Sequence, residues 1–538
     1  PQNPEGVSFV SDVALEDGGT HWRIDNTASM YLDRAPDRHH GSTYREGDVL
    51  FKLPAGAEDA SVHCPVGLAS AAASWDFVGE GEIGARIPLE ATGSDVPAAD
   101  AWAQERERAC RLECPDPHYR FLYDAAITSL VLHSPGDAYP GPYTYKRFWF
   151  RDAAFIINAL LSVGLTDRGR RAIDCFFDSQ TPLGYFRSQE GEWDSNGEVL
   201  WLLDRYRRFS GEAAPVAWRD PIDRAARWIS RKCLSDSPPT PHAGLLPAGF
   251  SAEHLGPNDY YYWDDFWSVS GLRAAAAMLE DSDAEAARRC LDSAGRLDSA
   301  IVRSLASCEQ RLGRPAMPAA PYRRLDAGAV GSIAAGYPLQ LQDAQDPRLM
   351  DCVKYLRDEC FVDGAFFQDM IHSGQNAYLT LQVAQVLLRA GDPRYLELMD
   401  TVAGLASPTG QWPEAIHPQT GGGCMGDGHH VWASAEWVLM LRNCFLREEG
   451  DSLVLAGGIP SRWLASGEAM GFGPAPTVFG TVSVRLEPVG DGQLALSWDA
   501  DWHAAPPRIV AALPGYRVSE SGSDRLLLEP VAASGVSA

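Results

Sequence analysis

The sequence has no apolar run long enough to cross a bilayer, so no transmembrane helix is expected. It is poor in positive charge: 46 Lys and Arg face 72 Asp and Glu, a formal net charge of −26. Such a field repels phosphate backbones and anionic lipid. Nucleic acid and membrane surfaces are therefore excluded as expected partners, and a neutral ligand fits better. The 11 cysteines form no CxxC pair. Cys110 and Cys114 could share one helical turn, but no second pair completes a zinc site. They read as buried thiols in a reducing compartment, which makes the cytoplasm the expected location. No metal and no other cofactor is expected. The chain starts at Pro1 rather than Met, a start with which a removed leader is compatible. GxSxG, Walker, Rossmann and HExxH motifs are all missing, as are tandem repeats and low-complexity tracts.

What is there is a globular composition, 45% hydrophobic and 22% charged, over 538 residues. That length predicts two or three domains. Residues 1–105 read as β-rich: "THWRIDNTASMYLD" alternates between Gly, Pro and Asp turns. From "AADAWAQERERACRLE" to residue 450 the pattern is helical, with about twelve segments carrying start or stop signals. They begin near Tyr119, Phe150, Asp167, Ser195, Pro221, Asp264, Asp283, Asp326, Pro347, Ser373, Pro393 and His430. "FIINALLSVG", "FWSVSGLRAAAAML" and "AYLTLQVAQVLLRAG" are apolar on several faces and predict inner helices. "DAEAARRCLDSAGRLDSAIVRSL" and "DPRLMDCVKYLRDE" are amphipathic and predict outer ones. Alternation of this kind predicts a closed toroid of about six helical hairpins. Residues 451–538 return to period two, with a hairpin at "VGDGQ", and predict a small β domain.

Three loops of the helical region, and one helix start, join aromatics to carboxylates. "YTYKRFWFRDAAFIINALL" sets Trp149, Arg151 and Asp152 at a helix start, where an acid also suits the helix dipole. "SQEGEWDSNGEVLWLL" brings Trp193 and Asp194 before a helix and Glu198 into its first turns. "GFSAEHLGPNDYYYWDDFW" carries Glu253, His254, Asp259, Tyr260, Tyr261, Tyr262, Trp263, Asp264 and Asp265. "GQWPEAIHPQTGGGCMGDGHHVWASAEW" carries Trp412, Glu414, His417, Asp427, His429, His430 and Trp432. Aromatic faces stack on the C–H faces of sugars and carboxylates bind hydroxyls, so these loops predict a carbohydrate partner. Paired carboxylates across a pocket are what glycoside hydrolysis requires, one as acid and one as base or nucleophile.

In order and spacing these motifs resemble the glucoamylase-like glycosidases of the six-hairpin (α/α)6 superfamily, over most of residues 110–450. "FWFRDAAFIINAL" is similar to the family's W-x-RD stretch, which implies that Arg151 and Asp152 bind hydroxyls of the terminal sugar. "WDSNGEVLWLL" matches its D-x-x-GE-V stretch through Asp194, Gly197 and Glu198. The loop holding the family's general acid corresponds to "GLLPAGFSAEHLGPNDYYYWDDFW". Its Trp-Glu pair is absent here, and Glu253 matches by distance to the next helix, with Asp259, Asp264 and Asp265 as alternatives. "WPEAIHPQTGG" is similar to the loop of the general base, which implies that role for Glu414. The resemblance implies a mainly α protein: an (α/α)6 toroid flanked by an N-terminal β-rich domain and a C-terminal β-sandwich. It further implies an exo-acting, inverting glycoside hydrolase with Trp149, Trp193, Asp194, Tyr262, Trp263, Asp264, Trp412 and His430 among its sugar contacts. Two other readings keep the toroid. One is a polysaccharide lyase or sugar epimerase using Tyr261, His254 and His430; the other is a carbohydrate-binding protein without catalysis.

Overall fold

The computed structural model describes residues 10–25, 28–88, 98–143, 145–187, 189–251, 258–369 and 374–531. The chain divides into two compact units, 1–101 and 102–538. In the first, a five-stranded antiparallel sheet runs in the order Ser61–His63, Asp12–Glu16, His21–Ile24, Ala28–Leu32, Ala85–Arg86. A second pair, Arg38–Ser42 with Ser70–Ser74, lies beside it. The alternation of Val13, Leu15 and Trp22 supplies a small core of its own.

The second unit is built from helical hairpins. A helix that straddles the division, α1 (Ala98–Arg108), precedes α2 (Pro117–Leu132) and α3 (Phe150–Ser162). Then come α4 (Thr166–Phe176), α5 (Ser195–Ser210), α6 (Arg219–Lys232), α7 (Tyr262–Leu279) and α8 (Ala284–Leu312). A 3-10 segment (Ala327–Ala335), α9 (Pro347–Glu359), α10 (Ala377–Ala390), α11 (Tyr395–Gly404) and α12 (Val431–Phe445) complete the set. The sequence dictates the starts. Asp116 and Asp346 cap α2 and α9 with their carboxylates, each followed by a proline whose missing N–H costs nothing there. Gly211, Gly313 and Gly391 end α5, α8 and α10 in the left-handed conformation.

Helices α3, α5, α7, the 3-10 segment, α10 and α12 form an inner ring: each packs on the next, and α12 returns to α3. Every residue of α3 is buried, and α10 and α12 are buried almost throughout, which explains their lack of a polar face. Each Leu or Phe so enclosed contributes about 1.5–3 kcal/mol. Gly197 of α5 faces Gly271 of α7, where a Cβ would meet backbone at 2.4–2.6 Å, so these two inner helices approach through their glycines.

Two expectations change. The fourth inner element winds as a 3-10 helix, a tighter turn that the small side chains of "AGAVGSIAA" permit. Cys110 and Cys114 flank the strand Arg111–Glu113 instead of sharing a helical turn, and all eleven cysteines are free thiols. At the C-terminal end, α12 runs directly into strand Leu446–Glu449, which pairs with Ser452–Leu455. The expected break at 450/451 thus falls in the turn of this hairpin. A six-stranded sheet holds the expected "VGDGQ" hairpin, Gly480–Gly490 with Gln493–Trp502, turning at Asp491 and Gly492 with φ of 51° and 75°. Its outermost strand is Arg111–Glu113, from the start of the helical region. One hydrophobic core runs through the ring and both C-terminal sheets.

Candidate active site

The N-terminal ends of the inner helices meet at one mouth of the ring. Trp149 occupies the N-cap position of α3, and Arg151 and Asp152 follow in its first turn, both buried. Arg151 Nε donates to Asp194 Oδ2 at 2.8 Å. One of its terminal nitrogens lies 2.8 Å from the same oxygen and 3.4 Å from Glu192. Trp263 in the first turn of α7 donates its indole N–H to Asp194 Oδ2 at 2.8 Å. Asp194 therefore ties α3, α5 and α7 together in a buried network.

Asp264, next to Trp263, is 1% exposed, and neither carboxyl oxygen has a hydrogen-bond partner among the described residues. Burial first, then Asp194 and Asp265, push its carboxyl well above the usual range against the pull of Arg151. Its surroundings thus favour the uncharged form of the acid. Asp265 points elsewhere, accepting from the Leu246 N–H at 2.9 Å, and burial raises it as well. Glu198 is fully buried in the first turn of α5.

Across the mouth, Tyr145 donates its hydroxyl to Glu414 Oε2 at 2.6 Å. Glu414 is 7% exposed, and the Asn376 amide holds its backbone carbonyl at 2.8 Å. Gly426, at φ +66°, passes so close that a Cβ there would lie 2.3 Å from Glu414 Oε2. Asp427 accepts from the backbone N–H groups of Tyr143 and Tyr145 at 3.1 and 3.0 Å, which fixes the segment presenting Tyr145. The Tyr145 ring meets Trp149 edge-on at 5.5 Å, and Arg147 lies 4.8 Å over Trp149. His430 is buried at the start of α12 against Tyr378 and Tyr145, 4.8 and 6.2 Å away. His429 turns the other way, toward His133. One turn below Arg151, Phe155 stacks on Trp432 at 4.5 Å and faces Trp263 at 6.4 Å, and these rings fill the axis of the ring. No group of three metal-ligating side chains occurs among the described residues.

The structure thus places Arg151, Asp152, Asp194, Trp263, Asp264, Glu414, Trp149 and His430 around the mouth. Three expected sugar contacts lie elsewhere. Tyr262 is fully buried and bonds Ser304 of α8 through its hydroxyl at 2.6 Å, because one step along α7 rotates it about 100° from Trp263. Trp412 is fully buried, donates to the Val402 carbonyl at 2.8 Å and packs on Trp437. Trp193 packs under Lys232, whose ammonium sits 3.6 Å over its ring, with Tyr185 and Trp228. Tyr260 stacks on His242, and Tyr261 is buried. Glu253 and His254 lie outside the described residues; Gly249 and Asp259 on either side of them pair through both backbone hydrogen bonds, at 2.9 and 3.1 Å. Sequence reasoning missed Tyr145 and Glu192. Tyr145 stood in the quoted Trp-Arg-Asp stretch, and Glu192 lies two residues before Asp194 in "EGEWD", a spacing that returns a side chain to the same face of an extended segment.

No family model matches the chain, and no curated protein does. Among solved structures, a bacterial glucoamylase complexed with acarbose matches with a TM-score of 0.56 and 14% identity, over 81% of this chain and 75% of that one. A GH78 family rhamnosidase of Bacillus sp. GL1 matches with a TM-score of 0.54 and 14% identity, over 95% of this chain and 52% of that one. At that identity the likeness is one of fold: the ring is a glucoamylase-like six-hairpin (α/α)6 toroid.

Proposed function

We propose that the protein is a glycoside hydrolase that releases a terminal sugar from a neutral saccharide or glycoside with inversion of configuration. The observation that carries this reading is Glu414, a carboxylate held by the Tyr145 hydroxyl at the mouth of the ring, opposite Arg151 and Asp152. Glu414 is the general base that takes a proton from the attacking water. Glu253 is the general acid, on the segment whose two ends meet at the Gly249–Asp259 pair. Asp152 binds hydroxyls of the sugar. Arg151 is already engaged by Asp194, so it positions that carboxylate and adds positive charge to the innermost subsite. The contacts of Phe155 with Trp432 and Trp263 lie below Arg151, so a saccharide would enter from the mouth. Both glycoside hydrolase structures of the same fold support the class of reaction.

The test is a screen of wild type and Glu414→Gln against α- and β-linked neutral oligosaccharides, with products followed by proton NMR. Wild type should release one monosaccharide whose first anomer is opposite to that of the substrate. Glu414→Gln should lose at least about two orders of magnitude in rate. A fully active Glu414→Gln enzyme would refute the assignment.

A further inference from the structure

The other mouth of the ring has the opposite character. A cavity of about 410 Å³ lies among the C-terminal ends of the inner helices and the start of the C-terminal strands. Six arginines line it: Arg205, Arg208, Arg273, Arg389, Arg442 and Arg447. In a chain of net charge −26, such a concentration of cations needs a local reason. Most of them have one. Arg442 makes a two-pronged contact with Glu448 and reaches the carbonyls of Leu446 and Pro476. Arg389 grips Glu449 and the Gly336 carbonyl, Arg447 shares Glu449 at 3.4 Å, and Arg273 reaches Asp298. These contacts satisfy helix ends and bind the ring to the strands.

Arg205 and Arg208 are left over. Neither has a carboxylate within ion-pair distance among the described residues. Asp204, which also lines the cavity, is taken by Arg207 at 2.6 Å. Among the described residues Arg205 has one hydrogen bond, to the Asn158 amide oxygen at 3.2 Å, and its guanidinium lies over Phe209 and Trp201 at 4.2 and 5.4 Å. Burial first, then repulsion from Arg442 and Arg208 against the pull of Glu448, draws its guanidinium down to about 10. Two buried donors of other residues that line the cavity, Arg442 Nε and Arg447 Nη1, have no acceptor among the described residues. Buried donors without acceptors are the signature of a missing partner rich in acceptor oxygens.

We propose that this cavity binds a phosphate group, as the free ion or as a phosphorylated sugar, on Arg205 and Arg208 with Arg442 and Arg447 behind them. The site is remote from Glu414, at the opposite end of the ring, and does not depend on the reaction proposed there. The volume leaves room for a hexose beside the phosphate, with the Asn158 and Asn443 amides and the Trp201 face on its walls.

The experiment titrates inorganic phosphate and a hexose 6-phosphate into the full-length protein by calorimetry and thermal melting, against chloride at matched ionic strength. Wild type should bind phosphate and melt higher in it than in chloride. Arg205→Gln and Arg208→Gln should each weaken binding by about tenfold or more. Tighter binding of the hexose phosphate would assign the site to a phosphorylated sugar, and equal affinity to the free ion. Equal melting in phosphate and chloride, or unchanged affinity in both variants, would overturn the proposal. Should Arg205→Gln fail to fold, the exposed Arg208 decides alone: affinity unchanged in Arg208→Gln would overturn it.

Discussion

Replacing Glu436 by Gln should stabilise the protein at alkaline pH and leave it unchanged at acid pH. Glu436 lies on the inner face of α12, fully buried on the axis of the ring. Its Oε1 accepts from Gln382 at 3.2 Å and from the Trp432 indole at 3.3 Å, and its Oε2 accepts from the Tyr337 hydroxyl at 3.0 Å. Those three donors favour the charged form, but burial outweighs them and pushes the carboxyl from 4.5 up to about 7. The folded protein therefore holds this proton more tightly than the unfolded chain does. Stability from this group is full below the unfolded value, is lost as pH rises through about 7, and is flat above it. A shift of that size costs about 3 kcal/mol once both states are ionised. At roughly 2 cal/mol/K per residue, unfolding of the body spanning residues 102–538 converts this into about 3 °C of Tm. Gln imitates the protonated acid: its carbonyl oxygen keeps Gln382 and Trp432, and its NH2 faces the Tyr337 oxygen. Melting both proteins at about pH 5 and about pH 8 is the assay, with Glu436→Gln above wild type by that margin only at the higher value. An equal loss of Tm at both pH values would refute the reasoning, since it would show an ionised Glu436 bound by its three donors.

Tyr145→Phe should lower kcat/KM by about 10- to 100-fold while Tm stays within a degree or so of wild type, because the bond it removes is short and made to a charged group; unchanged turnover would show that Glu414 needs no help from Tyr145. Asp194→Ala takes from the buried Arg151 its ion pair at 2.8 Å, with Glu192 farther off at 3.4 Å, which should cost about 3–5 kcal/mol and several degrees of Tm, measured by calorimetry. Gly197→Ala should cost about 1–3 kcal/mol, read from the same melts, since its Cβ would press on the Trp267 backbone at 2.4 Å; a native Tm would mean that α5 and α7 have slack between them.

Most of the ring was legible because its elements announce themselves through periodicity and punctuation. Asp116-Pro117 and Asp346-Pro347 mark helix starts in any context, and an all-apolar segment such as α10 has no place but an inner wall. The 3-10 winding at Ala327–Ala335 was not legible, since small residues tolerate either helix and only the packing selects one. The site was legible where a residue's neighbours in sequence are also its neighbours in space, as for Arg151 and Asp152. It was not legible where direction decides. Trp412 and Glu414, or Tyr262 and Trp263, share a motif and yet face a core on one side and the mouth on the other. Composition reports that aromatics and carboxylates are present, not which way each one points.

The ring also explains why so many carboxylates gather at one mouth with Arg151 as their partner. Parallel inner helices bring the positive ends of their dipoles to that mouth and the negative ends to the other. Asp152, Glu198 and Asp264 stand in first turns, and Asp194 occupies the N-cap position of α5, the end at which a helix dipole favours negative charge. Of the arginines of the far cavity, Arg208, Arg389 and Arg442 stand in last turns. The fold thus predisposes one end toward acids and the other toward bases before any ligand is considered. What the dipoles leave unexplained at each end is where ligands are to be sought. At the first mouth it is Asp264, whose carboxyl burial first and then its acidic neighbours push upward; at the second it is Arg205, which has no carboxylate within ion-pair distance among the described residues.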